Sequence, residues 1–167
     1  PLHMLPTSDM SWAPRLKWVQ TTSSGVGPVV DALKIHTTNI KVTTARGIHA
    51  VPLAEFSLMA ILMHLKQVVH LRQEQNAHSW TRYCGEALEG KLVAIVGAGE
   101  VGHRVAEGGK FHGMKVAAMS RSLTEAEGRR RNYDIVFNRD ELCNVAAEAA
   151  VIVLCVPHTP QTENMID

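Results

Sequence analysis

Cysteine, aromatic residues and net charge are all scarce in this chain. The three cysteines among 167 residues, Cys84, Cys143 and Cys155, are odd in number, lack Cys-x-x-Cys spacing and form no ligand-like group with the nine histidines. That excludes a disulfide framework and a structural zinc site, so a reduced, cytoplasmic protein without bound metal is expected. Aromatics make up 5% of the residues, and 17 Lys and Arg against 16 Asp and Glu leave a net charge of +1. Such a balance gives no field to gather nucleic acid, and the cluster Arg129-Arg130-Arg131 is too short to change that; it reads as a solvated helix end. The apolar run 58–63, bounded by Ser57 and His64, is far short of the roughly 20 residues a membrane span needs. No targeting segment is visible. Neither nucleic acid nor a membrane is therefore an expected partner, while an apolar fraction of 46% is enough for a sizeable core.

The apolar residues are ordered. Leu92-Val93-Ala94-Ile95-Val96 reads as a strand and runs directly into Gly97-Ala98-Gly99-Glu100-Val101-Gly102, a Gly-x-Gly-x-x-Gly turn. Gly97 suits a tight strand-to-helix turn, Gly99 lets backbone approach a pyrophosphate, and Gly102 lets the following helix pack closely on the strand. The phosphates would then face the unpaired N–H groups at a helix N-terminus. Val101, Val105 and Ala106 give that helix an apolar stripe, Gly113 ends it, and Lys115-Val116-Ala117-Ala118-Met119 supplies the next strand of a β-α-β unit. Dinucleotide binding is the expected role.

An acidic residue at the end of that second strand normally binds the adenosine ribose hydroxyls of NAD. Here the chain reads Met119-Ser120-Arg121-Ser122. Ser120 stands where the carboxylate would be, so nothing repels a ribose 2′-phosphate, while Arg121 offers a planar cation and Ser120 and Ser122 offer hydroxyls. NADP(H) is expected over NAD(H), the alternative being an Arg solvated in a loop.

Earlier in the chain, 16–20 and 40–44 read as strands, the first leading into the small polar turn Thr21-Thr22-Ser23-Ser24-Gly25, and 29–33 reads as a helix. Pro52 at a helix start, Glu55 in its first turn and the series Phe56, Met59, Ala60, Met63, Val68 predict one helix to about residue 75. At about 36 Å it would suit a connection between two domains. After the glycine turn come a helix at 124–130, a strand at 134–137, a helix at 140–148 and an apolar strand at 151–156, the last as expected in a parallel sheet covered on both faces. The division expected is 1–50 as part of a first α/β domain, 51–90 as interdomain helix and linker, and 91–167 as part of a nucleotide-binding domain. Opening at Pro1 and stopping after a loop at Asp167, the sequence is expected to be a fragment.

From Leu16 onward the residues resemble the D-isomer-specific 2-hydroxyacid dehydrogenases, which include glyoxylate/hydroxypyruvate reductases and phosphoglycerate dehydrogenases. Carrying the resemblance are Leu16-Lys17-Trp18-Val19-Gln20, Ser23-Ser24-Gly25-Val26, Thr44-Ala45-Arg46-Gly47-Ile48-His49, Leu53-Ala54-Glu55-Phe56 and Leu88-Glu89-Gly90-Lys91. The glycine turn follows, then Phe111-His112-Gly113-Met114-Lys115-Val116 and Val156-Pro157-His158-Thr159-Pro160-Gln161-Thr162.

The resemblance implies an α/β fold: a Rossmann-type doubly wound parallel sheet plus the end of a flavodoxin-like substrate domain. It implies an oxidoreductase moving a hydride between a nicotinamide cofactor and a small 2-oxo or D-2-hydroxy acid, dimeric in its full length. The backbone N–H groups of Ser24 and Gly25 would hold the acid's carboxylate, although Gly27 replaces the acidic residue usual there. Backbone N–H groups of Glu100 and Val101 would meet the pyrophosphate, and Val156, Pro157 and Thr162 would line the nicotinamide. The family's catalytic Arg, Glu and His are expected beyond Asp167, and neither Arg46 nor His158 takes their place. Two other classes remain: a non-catalytic NAD(H)-sensing module of corepressor type, and a scaffold without ligand.

Overall fold

The computed structural model describes residues 13–27, 30 and 34–166, in two compact units: Pro1–Ile48 with Pro157–Asp167, and His49–Val156. This differs from the three-part division expected, because 51–90 belongs to the second unit and 157–167 groups with the first.

In the first unit β1 (Trp18–Gln20) and β2 (Lys41–Thr43) pair in parallel, with Val19 opposite Val42. Pairing continues one residue further, where Thr21 N donates to Thr43 O at 2.9 Å. The helix expected at 29–33 lies almost wholly outside the described residues.

The second unit is a four-stranded parallel sheet formed by β3 (Leu92–Val96), β4 (Lys115–Met119), β5 (Ile135–Phe137) and β6 (Val151–Leu154), in the order β5-β4-β3-β6. Helices α1 (Ala50–Leu65), α2 (Val68–Asn76), α3 (Glu100–Phe111), α4 (Glu125–Arg130) and α5 (Leu142–Glu148) complete it. Strand β3 is central, and Val93 to Val96 are fully buried. Val93 and Ile95 pack with Val116 and Ala118 of β4, Val105 and Ala106 of α3, Tyr133, and Ile61 and Leu65 of α1 in one core. A continuous apolar β3 is what a centrally placed parallel strand demands. Strand β6 departs from that expectation: it lies at the sheet edge and alternates, with Ile152 and Leu154 exposed.

Local signals behave as their chemistry requires. Gly113 sits at φ +74 just past α3, a left-handed stop that glycine adopts without a Cβ clash. Thr124 caps α4 in a reciprocal box, its hydroxyl accepting from Glu127 N while the Glu127 carboxylate takes the Thr124 N–H. The Thr124 N–H and hydroxyl, both donating to that carboxylate, hold the Glu127 carboxyl below its ordinary range.

The single helix expected over 52–75 is instead two, α1 and α2, bent by 60°. Gln67 adopts a left-handed conformation at φ 51. Long-range competition causes the break. Tyr83 Oη donates to Lys66 O at 2.7 Å and Glu86 N donates to Leu65 O at 3.0 Å, taking carbonyls that a continuing helix would use. Helix α1 docks on α3, where Leu58 fits so closely over Gly108 that a Cβ there would come within 2.3 Å of it.

Asp134 fastens β4 and β5 to α3: its carboxylate lies 2.8 and 3.0 Å from Lys110 Nζ and accepts Val116 N–H at 2.8 Å. Burial pushes its pKa up, but those donors outweigh burial and hold it below the ordinary 3.8. With the folded pKa below the unfolded one, its stabilisation is full above the unfolded value and is lost as the pH falls through the folded one. Both side chains are about 40% exposed, so the pair contributes less than about 1 kcal/mol. Asp134→Asn is expected to lower Tm at pH 7 by less than about 4 °C. Melts in a pH series should show the gap to wild type closing as the pH falls below 3.8, and a gap independent of pH would remove the ion-pair explanation.

Candidate functional site

The chain runs from β3 outward to β4 and β5, then returns to place β6 on the other side of β3. The carboxyl end of β3 is thus the point where strand order reverses, which is where open α/β sheets bind ligands. Gly97 to Gly102 lie there. Gly97 has φ +113, and a Cβ on it would stand 2.9 Å from the Cys155 carbonyl carbon and 3.0 Å from its oxygen. Glycine is required on both counts. Cys155 N in turn donates to Val96 O at 2.8 Å, closing β6 onto β3 at this end. Burial pushes the Cys155 thiol up from its ordinary pKa, so it is held as a neutral packing group.

Gly102 is needed for approach: a Cβ there would lie 2.3 Å from Gly97 O and 2.9 Å from Ile95 Cγ2. Gly99 is different, since a Cβ on it would meet nothing within 4 Å. The first helical bond runs from His103 N to Gly99 O at 2.9 Å, and no side chain caps the end. The N–H groups of Glu100, Val101 and Gly102 therefore lead out of α3 beside the open space at Gly99. This cradle fits a pyrophosphate, whose charge the helix end favours. The Glu100 side chain is exposed, so its carboxylate need not enter the space.

At the neighbouring end of β4, Ser120 N donates to Phe137 O at 3.1 Å, while Ser120 Oγ accepts from Ser122 N at 3.3 Å and Leu123 N at 3.1 Å. Ser120 thus shapes the turn that carries Arg121 and Ser122, and its hydroxyl proton is left to donate. Arg121 is exposed and makes no hydrogen bond or ion pair with the described residues. The reading of the turn as ligand-facing missed this structural use of Ser120.

The second unit thus gathers Gly97, Gly99, Glu100, Val101, Gly102, Ser120, Arg121, Ser122 and Val156 along its carboxyl edge. Pro157 and Thr162 belong to the first unit, where Thr162 Oγ1 donates to Pro157 O at 2.6 Å and accepts from Thr159 N at 2.9 Å. Ser24 and Gly25 also lie in the first unit on an exposed bend, and Gly25 N donates to Ser23 Oγ at 3.2 Å. A carboxylate there would compete with that hydroxyl for the N–H. Among the described residues no group of three or more His, Cys, Asp or Glu could hold a metal ion, and no single helix is long and apolar enough to cross a membrane.

Strand order and glycine cradle together define a Rossmann-like dinucleotide-binding sheet. Residues 58–167 match the family model described as D-isomer specific 2-hydroxyacid dehydrogenase, NAD binding domain, and the chain belongs to that family. A D-3-phosphoglycerate dehydrogenase of Mycobacterium leprae is 29% identical over 93% of this chain and 29% of its own length. A glyoxylate reductase of Aeropyrum pernix is 29% identical over 94% of this chain and 48% of its own. The crystal structure of a D-isomer specific 2-hydroxyacid dehydrogenase family protein from Aeromonas salmonicida matches with a TM-score of 0.81 at 31% identity, over 92% of this chain and 47% of that one. The chain therefore spans between 29% and about half of the length of these relatives.

Proposed function

We propose that this chain carries the cofactor-binding part of an NADP(H)-preferring 2-hydroxyacid dehydrogenase that reduces a small 2-oxo acid of glyoxylate or hydroxypyruvate type. The carrying observation is the pairing of an open glycine cradle at the end of β3 with Ser120 and an uncommitted Arg121 at the end of β4. The cofactor, when bound, supplies or accepts a hydride. Backbone N–H groups of Glu100, Val101 and Gly102 hold its pyrophosphate, and Arg121 with the Ser120 and Ser122 hydroxyls holds the 2′-phosphate. Val156, just past the end of β6, borders the nicotinamide, and in the first unit Ser24 and Gly25 offer N–H donors to the acid's carboxylate. The likeness to a glyoxylate reductase supports the substrate class; nothing observed favours a corepressor-type role.

The partner in this proposal is a second copy of the chain in its full length, met on the outer face of α1. Phe56, Met59 and Met63 are exposed there, beside a groove of about 450 Å³ lined chiefly by Leu58, Met59, Leu62, Met63 and Val68. Such an apolar surface is more typical of an interface than of a solvated helix. The three free cysteines, Cys84, Cys143 and Cys155, suit a reducing, cytoplasmic setting.

A charge-assisted contact to phosphate contributes about 1.5–3 kcal/mol, or roughly ten- to a hundredfold in affinity. Arg121→Ala is expected to reduce NADPH affinity by about tenfold, the low end for an exposed contact, with NADH affinity unchanged. Fluorescence titration of both cofactors against wild type and variant reads this directly, and equal affinities in the wild type would remove the NADP(H) preference. Oxidation of NADPH with glyoxylate and hydroxypyruvate by the whole gene product tests the substrate class.

A further inference from the structure

We infer that Arg139 is a second cation for the ribose 2′-phosphate, set beside Arg121 by the register of β4 and β5; this rests on the NADP(H) reading above. In that register Ala117 faces Ile135, Ala118 faces Val136 and Met119 faces Phe137. The Ser120 N to Phe137 O bond of 3.1 Å carries the pairing beyond the last strand residue of β4. Arg121 lies two residues past Met119, and Arg139 lies two residues past Phe137. Paired strands are about 5 Å apart, so two exposed arginines leave the same sheet edge as neighbours.

Both are mounted on pinned turns. The Ser120 hydroxyl accepts the Ser122 and Leu123 N–H groups. Asn138 Oδ1 accepts Asp140 N at 2.9 Å, and the Glu141 carboxylate accepts Asn138 N at 2.9 Å. That last bond ties up one of the two nearby carboxylates. Two guanidinium groups side by side repel each other unless an anion lies between them, and a phosphate dianion with three outward oxygens serves both. Arg139 already engages a neighbour, but a guanidinium has five N–H donors and can hold a second partner. Asp140, next in the chain and exposed, offsets part of its charge. The effect of Arg139 should therefore be smaller than that of Arg121.

The experiment measures dissociation constants for NADPH and NADH with the wild-type chain, Arg121→Ala, Arg139→Ala, Arg139→Gln and the double Ala variant, at low and physiological salt. Arg139→Ala and Arg139→Gln are expected to weaken NADPH by about threefold to fivefold and leave NADH unchanged. The double variant should bind the two cofactors equally, and the salt dependence of NADPH binding should flatten with each arginine removed. Circular dichroism and thermal melting confirm that each variant is folded. A preference lost in Arg121→Ala but intact in both folded Arg139 variants overturns this inference and leaves the NADP(H) reading standing. Equal weakening of NADH and NADPH overturns it too, by showing a role outside the 2′-phosphate. A wild type without preference removes both.

Discussion

Gly99→Val is expected to leave the chain folded and to weaken dinucleotide binding by roughly a hundredfold or more. Gly99 has φ −82 and ψ −163, an extended conformation open to any residue, and a Cβ there meets nothing within 4 Å. The fold has no objection to the side chain beyond the loss of a favourable helix-cap residue, about 1 kcal/mol. A ligand has one. The open space adjoins the N–H groups of Glu100, Val101 and Gly102, and three added carbons would stand where phosphate oxygens must approach them. Losing two charge-assisted hydrogen bonds at about 1.5 kcal/mol each already amounts to a hundredfold. Circular dichroism and a thermal melt establish folding, and fluorescence titration with NADPH and NADH gives the affinities. A folded variant binding as wild type does would mean that the glycines merely form a turn.

The cradle was legible in the sequence because its requirements are local. Strand, turn and helix start lie within the eleven residues Leu92 to Gly102; Gly97 and Gly102 answer demands of the adjoining backbone, while Gly99 leaves the space beside the helix start open. Though the Thr124 box itself was not noted, Gly113 as a helix end and a helix start at 124 were readable for the same reason. So was the alternation of strands and helices that makes the sheet parallel: nearly every element expected from residue 92 onward is present, with ends shifted by one or two residues.

Features set by distant parts of the chain were not legible. Periodicity alone runs one helix from 52 to 75, because nothing in those residues reveals that Tyr83 and Glu86 return to take the Leu65 and Lys66 carbonyls. The apolar run 151–156 looked like a strand covered on both faces, yet coverage depends on which elements lie over it, and Ile152 and Leu154 are exposed. Tyr133 is another case. It falls between the helix expected at 124–130 and the strand expected at 134–137, where no role was expected, yet it is the largest fully buried side chain among the described residues, and burial pushes its hydroxyl up to about 12. Arg139 drew no notice because its proximity to Arg121 exists only across strands.

Gly102→Val tests the other half of the cradle and should fail in the opposite way, in the fold before the ligand. Where Gly99 faces open space, a Cβ on Gly102 would press to 2.3 Å from Gly97 O and 2.9 Å from Ile95 Cγ2. The first contact is backbone, fixed by the Gly97 turn against Cys155; the second is a fully buried side chain of the central strand. Neither can swing aside, so α3 must lift from β3. Lifting it disturbs Val105 and Ala106, both fully buried against the sheet. Overpacking of this kind costs about 3 kcal/mol, the upper part of its usual range. For a chain of this length that corresponds to a fall in Tm of about 6–12 °C. Gly102→Ala, which carries the same Cβ without the branches, should lose somewhat less. Denaturant titration of both variants beside Gly99→Val separates the two roles: Gly99→Val loses the cofactor with only the small midpoint shift of its cap change, whereas both Gly102 variants lose midpoint in order of side-chain size. A Gly102→Val protein as stable as wild type would show that α3 does not need this close approach to β3.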